Sequence, residues 1–133
     1  MTAIHLATAH LASGTAPYEQ RIRVRGHELV SDEPVASGGA DAGASPYGLL
    51  AASLAACTSM TLRMYADRKG WALGHVEVDV SINRDGDAEA ITRRITLAPE
   101  FTAEQRTRLG EIAEKTPVTK TLRRGTPITT TIA

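Results

Sequence analysis

Alternating apolar and polar residues near the start of the chain predict a β-hairpin. Ile22 and Val24 alternate with arginines at positions 21, 23 and 25, and this period of two is typical of a strand with one solvent-facing side. Gly26 supplies a turn, and residues 27–30 are predicted to form the returning strand.

A long loop and a long helix come next. Prolines and glycines recur through residues 32–46 and exclude regular structure there. Long ordered loops in compact domains are often functional. Ser45 suits the N-cap of a helix and Pro46 its first residue, while Gly70 suits the position after its end. The sequence therefore predicts a helix over residues 46–69.

One face of this predicted helix is apolar, and the other faces carry small side chains. The apolar positions recur at helical spacing, and they are Leu50, Leu54, Cys57, Thr61 and Met64. Alanines and a serine fill most of the remaining surface between residues 51 and 56. Such a thin helix permits close approach of a neighbour, as in a helix buried between layers or lying across a dimer axis.

The second half of the chain shows two strands, a helix and a final strand. Apolar residues alternate from Val76 to Ile82, and a turn is expected over residues 83–87. In the next strand, Ile91, Ile95 and Leu97 share a face with Arg93.

Thr102 and Gln105 have the spacing of a capping box, which opens a second helix. That helix must end near Thr116, because a residue before proline is disfavoured in the helical region. Ile128, Thr130 and Ile132 alternate and predict a last strand. Strands before, between and after two helices, without a βαβ rhythm, predict an α+β fold with antiparallel sheets.

Composition narrows the function classes. The 133 residues suit one domain, and 15 basic residues balance 15 acidic ones, so nucleic acid and anionic membranes are not expected partners. The apolar stretch over residues 49–56 is far shorter than a membrane span of roughly 20 residues. No basic segment followed by an apolar run begins the chain, so no signal peptide is expected. A soluble cytoplasmic protein is the expectation.

Cys57 is the only cysteine and the main candidate for chemistry. A cysteine on an apolar helix face is commonly a small buried hydrophobic residue. It can instead be a nucleophile in a pocket lined by Leu54, Met60, Thr61 and Met64, provided that a nearby cation favours the thiolate. The candidate cations are Arg23, Arg25, Arg63 and Arg68.

Other sites find little support in the sequence. The four histidines lack metal-ligand spacing, so neither a metal nor another cofactor is expected. The glycines over residues 38–43 precede a helix, but no Gly-Lys-Ser/Thr follows, and we interpret them as a shaped loop.

Residues 32–71 resemble the signature region of the OsmC/Ohr family, the osmotically inducible and organic hydroperoxide resistance proteins. The likeness lies in the glycine loop, the Ser-Pro helix start and the run Ala-Ala-Cys-Thr-Ser-Met-Thr around Cys57. Residues 111–122 resemble the family's second motif, in which a helix ends in Cys-Pro.

This resemblance implies an intertwined homodimer whose antiparallel sheets wrap around two central helices. It also implies a peroxiredoxin-like thiol peroxidase that acts in oxidative stress. In such a protein one cysteine attacks a small hydrophobic peroxide and a second cysteine resolves the sulfenic acid. Cys57 corresponds to the attacking cysteine. The residues expected to contact substrate are Tyr47, Leu54, Met60, Thr61 and Thr116.

Several positions depart from the family pattern. Thr116 stands where the resolving cysteine belongs, Tyr47 and Gly48 stand where a glutamate is expected, and the N-terminal arginine has no unambiguous match. Three alternatives remain open: a one-cysteine cycle with an external thiol reductant, a Cys57–Cys57 link across the dimer, or no turnover. In the last case the protein is a non-catalytic homodimer that holds a small hydrophobic ligand in its interface pocket.

Overall fold

Two antiparallel sheets and three α-helices make up the described residues of the computed structural model, which are 2–14 and 16–133. The strands are β1 (Ala9–Leu11), β2 (Gln20–Val24), β3 (His27–Ser31), β4 (Glu77–Asp85) and β5 (Ala88–Thr96). The helices are α1 (Pro46–Lys69), α2 (Ala103–Ala113) and α3 (Pro117–Arg124), with a short 3₁₀ helix at Val35–Ser37. The α+β prediction is confirmed. The chain divides into two compact units, the first ending at Leu50 and the second beginning at Ala51.

The first unit contains the predicted hairpin. Strands β2 and β3 pair antiparallel with Ile22 opposite Leu29, and Arg25 at the turn has a positive φ of 57°. Strand β1, which the sequence analysis missed, pairs antiparallel with the other side of β2. A strand of three residues is too short to show a recognisable alternation of apolar and polar side chains.

The loop after β3 is organised around one buried carboxylate. Asp32 is 3% exposed and accepts hydrogen bonds from the backbone N–H groups of Glu33 (2.8 Å), Ala40 (3.1 Å) and Ala42 (3.1 Å). The bond from Ala42 does most to lower the pKa of Asp32 below its ordinary value, and it outweighs burial, which raises the pKa. The carboxylate therefore fixes the loop that was predicted to be shaped.

Two glycines of this loop allow close backbone approach. A Cβ atom on Gly39 would lie 2.0 Å from the Glu33 carbonyl oxygen, and one on Gly43 would lie 2.1 Å from that of Val30. Any side chain at either position would displace the backbone.

Helix α1 has the predicted limits. The Gly48 N–H donates to the Ser45 hydroxyl (3.1 Å) as an N-cap bond, and Gly70 follows the helix with a φ of 71°. The buried face consists of Leu54, Thr58, Leu62 and Ala66, so it shares only Leu54 with the predicted one. Residues at i, i+4 and i+8 lie on one face, and the predicted stripe lies beside this face.

Helix α1 is also long and apolar enough to cross a membrane, judged by its length and composition alone. This is weak support for a membrane location, because core helices of soluble proteins pass the same test.

The second unit carries the apolar core. Leu62 and Ala66 of α1 pack with Leu109 and Ala113 of α2, together with the loop residues Leu73 and Phe101. The predicted capping box is confirmed, because Gln105 N donates to Thr102 Oγ1 (3.1 Å) and Thr102 N donates to Gln105 Oε1 (2.9 Å). Strands β4 and β5 pair antiparallel with Ile82 opposite Ile91.

Two predictions for the end of the chain are wrong. Helix α3 follows directly after α2, with Thr116 as its N-cap and Pro117 in its first turn, so the described chain has three helices and not two. No strand forms over Ile128–Ile132, where both isoleucines are about 90% exposed. Alternation alone does not make a strand when no neighbouring strand accepts its hydrogen bonds.

Candidate functional site

Cys57 lies on α1, one residue before the fully buried Thr58. Its side chain is half-buried, and its Sγ atom lies 4.0 Å from Thr61 Oγ1, one helical turn further along. This is the outer limit of a hydrogen bond that involves sulfur, so the contact constrains the thiol only weakly. Cys57 therefore lies beside the buried face of α1 and is partly exposed as a residue.

Thr116 is fully buried and has a structural role. Its hydroxyl accepts the N–H of Thr119 (3.2 Å), which makes Thr116 the N-cap of α3, and it lies 2.7 Å from the Thr119 hydroxyl. The position of the expected resolving cysteine is therefore occupied by a hydroxyl that caps α3. A threonine hydroxyl cannot form a disulfide.

Arg93 forms hydrogen bonds both to α1, which carries Cys57, and to α3, which Thr116 caps. Its Nη1 donates to Thr58 Oγ1 (3.0 Å) on α1 and to Thr119 Oγ1 (2.9 Å) on α3. Its Nη2 donates to the Ala113 carbonyl at the end of α2 (3.0 Å). The side chain is 12% exposed. Through Arg93, strand β5 therefore holds all three helix segments of the second unit.

The sequence pattern predicts Arg93 on the apolar face of β5 but does not identify it as a site residue. A charge at an inward-facing strand position is itself a signal, because buried charges need partners and commonly have a function. Its partners Thr58, Ala113 and Thr119 cannot be predicted from local sequence, because they come from distant parts of the chain.

The four arginines considered from the sequence have different surroundings. Arg63 donates to the Gly74 carbonyl (2.8 Å), and Arg68 lines a cavity of about 180 Å³ together with Thr61 and Lys115. Arg23 and Arg25 line a separate cavity of about 480 Å³ in the first unit.

The expected substrate residues have very different surroundings. Thr61 contacts Cys57, and Leu54 is 5% exposed and lines a cavity with Arg93 and Thr119. Met60 is 61% exposed and Tyr47, in the first turn of α1, is 51% exposed. These two side chains are open to solvent in the single chain.

No group of three or more histidine, cysteine, aspartate or glutamate side chains that could hold a metal ion occurs among the described residues.

Comparison with known proteins gives a consistent result. The family model described as OsmC-like protein matches residues 38–131. No curated protein matches the sequence.

Solved structures share the fold over almost the whole chain. An osmotic stress induced and detoxification response protein of Psychrobacter arcticus superposes with a TM-score of 0.74 at 19% identity, covering 91% of this chain and 90% of that one. The organic hydroperoxide resistance protein OsmC of Legionella pneumophila gives 0.70 at 19% identity, covering 92% of each chain. The organic hydroperoxide resistance protein OhrB of Bacillus subtilis gives 0.63 at 23% identity, covering 91% and 93%.

Proposed function

The chain belongs to the OsmC-like protein family, and from this premise we propose that it reduces organic hydroperoxides by a one-cysteine cycle at Cys57. Two of the solved structures that it resembles are organic hydroperoxide resistance proteins. The observation that carries the proposal is the contrast between a half-buried Cys57 thiol and a fully buried, hydrogen-bonded Thr116. Cys57 can meet a small peroxide, while the resolving thiol has to come from outside the chain.

The chemistry balances with an external thiol. The Cys57 thiolate attacks one peroxide oxygen, the O–O bond breaks, and the alkoxide leaves as an alcohol after taking a proton. The resulting sulfenic acid reacts with an external thiol to give a mixed disulfide and water. A second external thiol then attacks the mixed disulfide, which releases the Cys57 thiol and a disulfide of the two external thiols. Turnover is expected to be slow, because no resolving thiol is held in place.

A cytoplasmic location is part of this proposal. The cytosol keeps low-molecular-weight and protein thiols reduced, so it supplies the reductant that the chain lacks.

Mass spectrometry of intact protein tests the reaction at Cys57. Brief treatment with tert-butyl hydroperoxide is expected to add one oxygen atom that dimedone traps, and an added thiol should reverse the change in untrapped protein. Cys57→Ser is the matched control and should gain no mass. An unmodified Cys57 after treatment at an excess of peroxide would contradict the proposal.

We also propose that α1 packs against a second copy of the chain. Met60 and Met64 are 61% and 58% exposed. They lie on an alanine-rich helix that is apolar in composition but has most of its residues outside the core. Exposed apolar surface of this kind marks an interface. A stable homodimer of the obligate type would bury more than about 2,000 Å² in total.

Sedimentation at micromolar concentration tests this assembly. The unmodified chain is expected to sediment as a dimer, and Met60→Glu should shift it to monomer or unfold it, because a buried carboxylate is costly. Val35→Glu, at an apolar residue that is 72% exposed, is the control and should leave the dimer unchanged. A folded monomer of the unmodified chain would exclude the obligate dimer.

The second candidate function is non-catalytic binding of a small hydrophobic ligand. One support is that Thr116 is buried and its hydroxyl cannot take part in a redox cycle. The other is a cavity with apolar walls that include Leu54 and Ile91. This alternative expects Cys57 to stay unmodified in the peroxide experiment.

A further inference from the structure

A cavity of about 380 Å³ in the second unit combines an apolar wall with charged groups. The wall consists of Leu54 from α1, Ile91 from β5 and Leu122 from α3. The polar side consists of Arg93, Glu114, Thr119 and Arg123. Cys57 is not among the described residues that line it.

Arg93 is built into the cavity and retains donor capacity. A guanidinium has five N–H donors. In the described part of the chain, three of those of Arg93 are used, all by uncharged acceptors on Thr58, Thr119 and Ala113. The nearest carboxylate oxygen, Glu114 Oε1, lies 3.9 Å from Nη2, which is beyond hydrogen-bond distance.

Glu114 is paired more closely with the second arginine. Its Oε2 atom forms a salt bridge with Arg123 Nη2. Arg123 is 62% exposed at its side chain, whereas Arg93 is 12% exposed. Since the outer pair neutralises itself, one positive charge remains, and it lies on Arg93 at the buried end of the cavity.

We propose that this cavity binds a small monocarboxylate whose apolar chain is short. The planar carboxylate fits the free edge of the Arg93 guanidinium and matches its single net charge. The chain lies on Leu54, Ile91 and Leu122. A volume of about 380 Å³ is at the lower end of the range for small-molecule pockets, which favours a compact ligand.

Titration calorimetry with octanoate tests the site on the full-length protein. Octanoate is expected to bind at millimolar concentration or tighter, while octylamine, with the same chain and the opposite charge, should not bind. Arg93→Met is expected to weaken octanoate binding at least tenfold. Arg94→Met is the matched control, because the next residue on β5 points to the opposite face, and it should bind like the unmodified protein.

Glu114→Gln provides a test that leaves Arg93 and its hydrogen bonds in place. Removing the competing carboxylate should strengthen octanoate binding several-fold. Cys57→Ser should bind octanoate normally, so a failure of the proposed thiol chemistry would not affect this result. Equal binding of octylamine, equal losses in Arg93→Met and Arg94→Met, or weaker binding by Glu114→Gln would each overturn the proposal.

Discussion

Truncating Leu62 to alanine is expected to lower the free energy of unfolding by about 2–5 kcal/mol. Leu62 is 0% exposed at the centre of the core formed by α1, α2 and the loop residues Leu73 and Phe101. The loss combines the transfer free energy of the removed carbon atoms with the cost of the cavity that they leave. It is large for this chain, because the core cluster around Leu62 has only six buried residues among those described.

Urea denaturation at one fixed protein concentration measures this loss, since the stability of the proposed dimer would depend on concentration. Leu6→Ala is the matched control, because this leucine is 88% exposed and its truncation should change the free energy of unfolding by less than about 0.5 kcal/mol. A loss below about 1 kcal/mol in Leu62→Ala would show that the core is not centred on this residue.

The limits of α1 could be predicted from the sequence because the signals that set them are local. Ser45 caps the helix through its own side chain, and Gly70 ends it through its backbone conformation. The buried face of α1 could not be predicted in the same way. Alanines and leucines make two neighbouring stripes apolar, and packing against α2 decides which of them is buried.

Helix α3 shows how one local signal supports two structures. A residue before proline leaves the helical region, and this signal predicts the end of one helix. The same threonine and proline are the N-cap and first residue of the next helix. Only the burial of Thr116 and Thr119 in the folded chain distinguishes these outcomes.

The candidate site was predicted in part. The position of Cys57 on a central helix follows from periodicity, and the resemblance to the OsmC/Ohr family is confirmed by the family match. The role of Arg93 depends on its hydrogen bonds to Thr58, Thr119 and Ala113. These partners are separated from Arg93 in the sequence by 35, 26 and 20 positions. Contacts of that range have no local signature.

Restoring the two missing family residues together, by Thr116→Cys and Gly48→Glu, is expected to raise dithiol-dependent peroxide reduction at least tenfold. A cysteine at position 116 would attack the sulfenic acid at Cys57, release water and form an intrachain disulfide that a dithiol reduces. Thr116 is buried and caps α3, so its loss should cost about 1 kcal/mol of stability. A Cβ at position 48 would meet Ser45 Oγ at 3.2 Å, which a small shift of that hydroxyl relieves.

The paired control is Thr116→Ser with Gly48→Gln, which keeps the helix cap and the side-chain length but adds neither a thiol nor a charge. Steady-state reduction of tert-butyl hydroperoxide by dithiothreitol should be slow in the unmodified protein and in this control. Non-reducing mass spectrometry of the restored variant after peroxide should show a loss of two hydrogen atoms rather than a gain of oxygen. Fast turnover by the unmodified protein that Cys57→Ser abolishes would instead show an efficient resolving route through external thiols. Such a result would make the second cysteine dispensable and would exclude the non-catalytic alternative, because a thiol that turns over rapidly is a catalytic residue whatever resolves it.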